Sequence, residues 1–363
     1  MKELVAKNME HYRILRGFNK TEMADAMGVT RSAYSRDESG RTLPRDETLR
    51  KFCEIAGCQM TDLLRGFEVP EATWLRNKCT NRRQEEERLE SVRKAVEMAK
   101  DIRFLLETVE KRTAKRDRET LEAFRARVHK NAGGKGAGAR EEFSRDGDFV
   151  PEMLPKLMSD QGIIVCQFPF PGDSSNGFSL ETPETGCVVA VNASMPWERQ
   201  IEALAHELGH VVDGTVGKDH GSKRCGDDAE KSATAFYRDF LLPEGLFRKT
   251  WEMVASVQGD FSRAVTRVRE IHKVPSTLVI HRCVEAKLKT GKAYAEFKAT
   301  MRRRGYCAEA EPAPLAVRLL PAGYEEDARK AYLGGEISLS KFAGFIGKKI
   351  PEAMEIANGD AAE

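Results

Sequence analysis

The segment that most constrains this chain is the pattern His206-Glu207-x-x-His210. On an α-helix, residues four positions apart lie on one face, so both histidines can ligate a single metal ion while Glu207 points toward its water. Apolar residues surround the trio at helical spacing, which predicts a core-facing helix where unpaired polar side chains would be costly: Ile201, Leu204, Ala205, Leu208, Val211 and Val212. The pattern therefore indicates a metal site, and a chance match on a solvated helix face is the weaker interpretation.

A catalytic zinc site takes a third protein ligand and leaves its fourth position to water. The side chains after His210 that could serve are Asp213, His220, Asp227, Asp228 and Glu230, with Cys225 in a polar loop as a weaker candidate. Glu230 is favoured because residues 230–243 form an amphipathic helical pattern whose apolar stripe includes position 230, and a carboxylate there needs a cation. His220 stands in a glycine-containing loop, which is a less rigid platform.

Length and composition predict a protein of two or three domains, since 363 residues exceed the size at which one core keeps growing. No apolar run reaches the ~18 residues of a membrane span, and the N-terminus lacks an apolar signal region, so we expect a cytoplasmic protein without a membrane partner. The eight cysteines are scattered without a C-x-x-C pair, which is typical of reduced thiols.

The charges of the chain are unevenly distributed. Lys and Arg outnumber Asp and Glu by 12 to 10 in residues 1–66 and by 19 to 13 in residues 67–140, whereas residues 141–243 hold 18 acidic and 8 basic side chains. A basic surface suits a polyanion and an acidic one does not. We therefore expect nucleic acid to bind at the front of the chain and chemistry to occur in the middle.

The first 66 residues carry the pattern of an all-α helix-turn-helix domain. Residues 4–16 predict a helix, residues 21–27 and 30–36 predict two short helices around the tight turn at Gly28, and residues 46–56 and 60–65 predict two more. This segment resembles the repressor-type helix-turn-helix domain of phage and bacterial regulators, the XRE or Cro/C1 type.

That resemblance implies a double-stranded DNA operator as partner, with the second helix of the motif in the major groove. The positions that it places against bases are Thr30, Arg31, Ser32, Ser35 and Arg36, and those that it places against phosphates are Lys20 and Arg41. A five-helix module that binds protein instead of DNA is the alternative.

Residues 67–132 are interpreted as a charged helical linker. Apolar residues recur three or four positions apart across 85–128, which predicts one long amphipathic helix or a helical hairpin. Its apolar stripe needs cover, either from a second subunit in a homodimer or from the following helix around Leu121. Four glycines in residues 133–138 predict a flexible boundary at 133–140.

Residues 141–300 predict an α+β domain, and residues 301–363 a helical extension without a recognisable chemical motif. Two β-branched runs, at 162–166 and 187–191, predict strands of a small sheet on which the histidine helix packs. Taken as a whole, the chain is predicted to be α+β and mainly helical. His272, His281 and Arg282 are candidates to stabilise an oxyanion, although ordinary polar roles are the simpler interpretation.

The middle domain resembles the ImmA/IrrE family of metallopeptidases, which are related to zincins with a glutamate as third ligand. The resemblance rests on Ala205-His-Glu-Leu-Gly-His210, on Glu230-x-x-Ala233-x-x-Phe236 and on Leu241-Leu242-Pro243, and it covers roughly residues 150–300. It implies a zincin-like domain that binds one Zn²⁺ per chain through His206, His210 and Glu230. It also implies Glu207 as general base and a helix-turn-helix repressor as protein substrate.

These observations lead to one functional hypothesis and two rivals. The hypothesis is a DNA-binding regulator fused to a zinc peptidase that hydrolyses a peptide bond in a repressor or antitoxin-like protein, or in this chain itself. The first rival is a transcription factor whose metal domain is a non-catalytic sensor or stabilising element. The second is a toxin–antitoxin type regulator that acts by binding a partner.

Overall fold

The computed structural model describes residues 1–66, 81–144, 149–172, 176–216, 223–304 and 323–359, with the side chains of 223–227 excepted. Contacts between backbone segments divide the chain into two units. The first unit holds residues 1–66, 81–94 and 170–172, and the second holds the other described residues. None of the helices in these ranges is long and apolar enough to cross a membrane.

The first unit contains five short helices: α1 Lys2–Leu15, α2 Lys20–Met27, α3 Arg31–Glu38, α4 Asp46–Ala56 and α5 Met60–Leu64. Asn19 caps α2 in a reciprocal capping box with Glu22, and Thr30 caps α3, so side-chain oxygens bind amides that the first turns leave unpaired. The turn between α2 and α3 passes through Gly28 in the left-handed conformation, at φ +65°. This is the predicted helix-turn-helix arrangement, and its apolar core includes Met23 and Phe52.

A buried charge cluster fixes the end of α3, and the sequence did not indicate it. The Glu38 carboxylate is fully buried and lies 2.5 Å from Arg13 Nε and 2.7 Å from Lys20 Nζ. The Tyr34 hydroxyl donates to the same carboxylate over 3.2 Å. A buried carboxylate is costly without such partners, so these contacts hold α3 against α1 and α2.

The predicted charged linker forms a helical hairpin of α6 Arg82–Thr108 and α7 Ala114–His129, one of the two forms that the sequence left open. Asp117 on α7 is buried and binds Arg103 Nη2 at 2.8 Å and Arg112 Nε at 2.5 Å. Arg103 also donates to the Thr185 carbonyl over 2.8 Å. Residues 95–108 therefore belong structurally to the second unit rather than to a free linker.

The apolar stripe along residues 95–108 of α6 is covered within the chain. Val96, Ala99, Ile102 and Leu106 are all buried. The Phe104 ring lies 6.2 Å from the Phe345 ring. A homodimer through α6 remains a prediction, but covering residues 95–108 does not require one.

A three-stranded sheet lies in the second unit: β1 Ile163–Phe168, β2 Gly177–Thr182 and β3 Gly186–Asn192. The strand order is β1-β3-β2, with β1 parallel to β3, and β2 antiparallel to β3 so that Ser179 pairs with Val189. Every residue of β1 and β3 is buried, which explains their continuous apolar runs. The sequence predicted β1 and β3, but it missed β2.

Helices surround the sheet and complete the α+β, mainly helical fold that was predicted. Before and beside the sheet lie α8 Lys135–Phe143, α9 Leu154–Asp160, α10 Trp197–Val212 and α11 Lys223–Leu241. After them come α12 Glu244–Gln258, α13 Phe261–His272, α14 Ser276–Glu285, α15 Ala293–Arg303, α16 Tyr324–Leu333, α17 Leu339–Phe345 and α18 Ile350–Asn358.

The glycine run predicted as a flexible boundary at 133–140 forms most of α8 instead, and that prediction is wrong. Gly136 is buried, and a Cβ there would lie 2.6 Å from the Phe236 carbonyl oxygen and 2.8 Å from Asp239 Cβ. Only glycine lets α8 approach the backbone of α11 so closely. Within α8, glycine therefore serves close helix packing rather than chain mobility.

Candidate metal centre

Two packed helices build the site. The helix α10 buries Leu204, Leu208 and Val211 in the core of the unit, and its spacing sets His206 and His210 one turn apart. Gly209 lies at the crossing with α11, where an added Cβ would be 3.1 Å from Ala233 Cα. This close approach brings Glu230 to the histidines.

The donor atoms of His206, His210 and Glu230 lie within 4.8 Å of one another. His206 Nε2 is 3.2 Å from His210 Nε2 and 3.1 Å from Glu230 Oε2, and His210 Nε2 is 3.5 Å from Glu230 Oε1. Bonds of about 2.0–2.1 Å at tetrahedral angles would separate two zinc ligands by roughly 3.3 Å. The two imidazole nitrogens and the carboxylate therefore fit a zinc ion in both spacing and donor chemistry.

Thr215 orients the second histidine, although the sequence analysis did not single it out. Its hydroxyl donates to the His210 carbonyl over 3.2 Å and lies 3.0 Å from His210 Nδ1. When the hydroxyl donates its hydrogen to the carbonyl, Nδ1–H is the donor in the second bond. This tautomer leaves the lone pair of Nε2 for a metal.

Ser179 on the missed strand β2 holds the candidate general base. Its hydroxyl donates to Glu207 Oε2 over 2.8 Å, and the serine is almost fully buried. Gly177 on the same face also lies beside Glu207, since a Cβ at 177 would be at contact distance, 3.6 Å, from Glu207 Cγ. Apolar and polar side chains alternate within residues 177–182, and this alternation was the sequence signal that could have revealed the strand and its serine.

The other candidate ligands have different surroundings. Asp213 binds Lys135 Nζ at 2.5 Å and accepts from the Ser232 hydroxyl at 2.6 Å. Asp228 is exposed and lies 3.6 Å from Lys231 Nζ. His220 and the side chains of Cys225 and Asp227 lie outside the described residues.

The candidate oxyanion stabilisers are engaged elsewhere. His272 Nε2 lies 2.9 Å from the Thr250 hydroxyl, and burial, with a smaller effect from the Arg140 charge, lowers the pKa of His272. Arg282 donates to Asp239 at 2.6 Å and to the Leu242 carbonyl at 2.8 Å. Burial also lowers the pKa of His281, which lines a separate cavity with Tyr294.

In the first unit, the side chains predicted to meet DNA lie on or beside α3. Thr30, Arg31, Ser32, Arg36 and Arg41 are exposed, whereas Ser35 is half-buried. Lys20 was predicted to contact a phosphate, but its ammonium is paired with the buried carboxylate of Glu38.

Two sequence families match separate parts of this chain. Residues 9–63 match the family described as Helix-turn-helix, and residues 158–283 match the family described as IrrE N-terminal-like domain. The chain joins a helix-turn-helix domain to an IrrE N-terminal-like domain. Both resemblances predicted from the sequence are confirmed, and the IrrE-like domain is the one that contains His206, Glu207, His210 and Glu230.

A curated relative also matches the helix-turn-helix end of the chain. The SPbeta prophage-derived uncharacterized HTH-type transcriptional regulator YonR of Bacillus subtilis (strain 168) is 32% identical over 63 residues. That match covers 17% of this chain and 58% of the relative.

Among solved structures, Bacillus thuringiensis PlcR, in a complex with the peptide PapR7 and DNA, aligns with 99% of this chain and 97% of its own. The identity is 12% and the TM-score is 0.22. The assignment of the two domains therefore rests on the sequence matches to residues 9–63 and 158–283.

Proposed function

We propose that this chain is a transcription regulator that binds a double-stranded DNA operator through α3 and carries a zinc-dependent peptidase. The substrate of the peptidase is a repressor of the helix-turn-helix type, an antitoxin-like protein, or this chain itself. The family matches support the pairing of a regulator domain with a peptidase-like domain. The catalytic step, the substrate and the site residues are the proposed part.

The observation that carries the proposal is the triangle of His206, His210 and Glu230 donor atoms, 3.1–3.5 Å apart, with Glu207 on the same helix as the histidines. Zinc bound there would act as a Lewis acid and lower the pKa of a coordinated water toward ~7. The residues present supply what such a hydrolase requires, namely three ligands and a carboxylate beside them.

The protein side chains then have distinct roles in peptide hydrolysis. Glu207 accepts the proton of the attacking water and delivers it to the leaving amine, which is general acid–base catalysis by one carboxylate. Ser179 occupies Oε2 of that carboxylate and leaves Oε1 for the proton. Thr215 keeps His210 in the tautomer that ligates through Nε2.

A groove next to Glu230 offers a path for a polypeptide. It has a volume of about 680 Å³ and follows the outer face of α11 through Thr234 and Arg238 toward Glu244 and Glu285. Its size lies in the range of ligand-binding clefts. Charged side chains of both signs line it, which suits a polar protein segment better than an apolar small molecule.

The DNA-binding part of the proposal rests on α3. Arg31 and Arg36 are exposed at its two ends, and the Thr30 cap and buried Glu38 hold the helix in place. Exposed arginines on a fixed recognition helix can reach guanine edges in the major groove.

Glu207→Gln tests the catalytic part against the sensor rival. Wild-type and variant chains are loaded with zinc and mixed with purified helix-turn-helix repressors encoded beside this chain, and with the variant chain itself as a substrate. Mass spectrometry should find fragments with the wild type and none when only the variant is present. Equal zinc content and operator binding in both chains, without any cleavage by the wild type, would establish the sensor instead.

A further inference from the structure

The strongest concentration of positive charge in this chain lies outside the helix-turn-helix domain. Residues 261–304 contain 12 Lys and Arg and only 3 Asp and Glu, whereas residues 1–66 contain 12 and 10. The last part of this segment, residues 284–304, follows the end of the IrrE-like match at residue 283. Seven of the 12 basic residues lie in residues 284–304, beyond both family matches.

Basic side chains from both sides of α15 reach the beginning of α13. Lys289 Nζ, in the loop before α15, lies 4.6 Å from the centroid of the Phe261 ring. Arg304 Nη2, at the other end of α15, lies 3.2 Å from Asp260 Oδ1. Arg263 on the first turn of α13 is exposed. The segments on both sides of α15 therefore lie near the beginning of α13. We call the exposed basic residues of these segments the basic surface: Arg263, Lys287, Lys289, Lys292, Arg302 and Arg303.

These six side chains are exposed and carry uncompensated charge. In the part of the chain that the structure describes, none of them has a carboxylate oxygen within 4.0 Å of its side-chain nitrogens. Two of the three acids in residues 261–304 are paired with other side chains, since Glu285 binds Arg238 and Arg282, and Glu270 binds Arg267. The third acid, Glu296, is exposed on α15 and leaves the excess of positive charge large. Clustered charge of one sign opposes folding and attracts polyanions, so a binding role explains it better than stability does.

The chemistry of the basic surface favours phosphate groups over a protein partner. Protein interfaces have an apolar centre and are depleted in lysine, whereas this surface holds three lysines and three arginines beside the partly exposed Leu288 and Tyr294. The 11 residues of α15 extend over about 16 Å, which is the length of roughly five base pairs. A nucleic-acid backbone presents phosphates over such a distance and needs no pocket.

We propose that the basic surface binds the phosphate backbone of nucleic acid, as a second site separate from α3 and independent of base sequence. Residues 1–66 hold 12 basic and 10 acidic side chains, so the small net charge of that domain gives it little electrostatic attraction for DNA. The second site would supply the sequence-independent part of the affinity, which depends on the number of phosphates neutralised. The proposal does not depend on peptidase activity.

The test uses the full chain and a labelled duplex of random sequence, with binding followed by fluorescence anisotropy at several salt concentrations. One variant combines Lys287→Gln, Lys292→Gln, Arg302→Gln and Arg303→Gln, and leaves Lys289 on Phe261. The control combines Arg116→Gln, Lys249→Gln, Lys348→Gln and Lys349→Gln, four exposed residues elsewhere in the second unit that are also without a carboxylate within 4.0 Å.

We expect the first variant to bind about tenfold or more weakly at low salt. The slope of the logarithm of the binding constant against the logarithm of the salt concentration should become shallower by roughly 0.9 for each lost phosphate contact. The control should behave like the wild type, and circular dichroism should show that both variants are folded. Equal losses in both variants, or no binding of random duplex by the wild type, would overturn the proposal. Polyglutamate that binds the wild type more tightly than the duplex would assign the surface to an acidic protein.

Discussion

The Ser179 hydroxyl lies 2.8 Å from Glu207 Oε2 and joins strand β2 to helix α10. It connects a strand missing from the sequence prediction to the side chain that defines the sequence motif. Ser179 is buried and holds Oε2 of the half-buried Glu207. The strand therefore determines that the other carboxylate oxygen, Oε1, is the one that can face a substrate.

Ser179→Ala should lower the rate of substrate cleavage without loss of zinc. Removal of the hydrogen bond leaves the Glu207 carboxylate free to rotate, and small misplacements of catalytic groups cost up to about 100-fold in rate. We expect kcat to fall between about tenfold and 100-fold while KM stays within about twofold. Ser179→Thr, which keeps the hydroxyl, should restore most of the rate. Loss of zinc in the alanine variant, or unchanged kcat, would assign Ser179 a merely structural role.

His206→Ala and Glu230→Ala should each greatly reduce a zinc content that we expect to be about one ion per wild-type chain. Each change removes one of three ligands whose donor atoms lie close together. Thr215→Val keeps the ligands but removes the partner of His210 Nδ1, so zinc affinity should fall about 10-fold to 100-fold. Metal analysis and competition with a chelator measure both effects. Full zinc retention by the Glu230 variant would reject it as the third ligand and return attention to His220 or Asp227.

Arg31→Ala should weaken discrimination between operators by roughly 1–3 kcal/mol if this arginine reads a guanine. Arg31 is exposed at the first position of α3, and its loss should leave the buried Glu38 cluster intact. Comparison of binding to a selected operator and to single-base variants measures the effect. An Arg31→Ala chain with undiminished discrimination would move base reading to other side chains.

His11 should make the first unit more stable at lower pH. Its ring nitrogens lie 2.5 Å from Glu86 Oε2 and 3.1 Å from Glu90 Oε2, so both nitrogens act as donors when the ring is protonated. Burial alone would lower the pKa of His11, but the hydrogen bonds and charges of Glu86 and Glu90 outweigh it and raise the pKa above 6.5. The stabilisation is therefore complete below pH 6.5 and is lost as pH rises through the folded-state pKa.

Hydrogen exchange of the α1 amides, measured from about pH 6 to about pH 9, tests this dependence. Protection of these amides, relative to their intrinsic exchange rates, should decrease as the pH rises in the wild type. The decrease should be much smaller in the His11→Gln chain. Other charged contacts on this seam, Arg82 with Glu10 at 2.9 Å and Lys94 with Glu90 at 3.8 Å, are kept in the His11→Gln chain. Parallel pH dependence in the two chains would show that His11 contributes nothing to the effect.

Local sequence determined the features that depend on neighbouring residues. The helical spacing around His206 and His210, the tight turn at Gly28, and the apolar runs of β1 and β3 are short-range patterns, and each predicted its element. Glu230 was favoured by the same reasoning, since a carboxylate on the apolar stripe of a helix requires a cation.

Only the tertiary structure decided which distant residues meet. Nothing near Ser179 in the sequence indicates that it binds Glu207, 28 positions away, and nothing near Glu38 indicates that Arg13 and Lys20 neutralise it. The glycines of α8 were misread because flexibility and close packing both select residues without a side chain. The sequence specifies the chemistry of each side chain, but the partner that satisfies it is determined by how helices and strands pack in three dimensions.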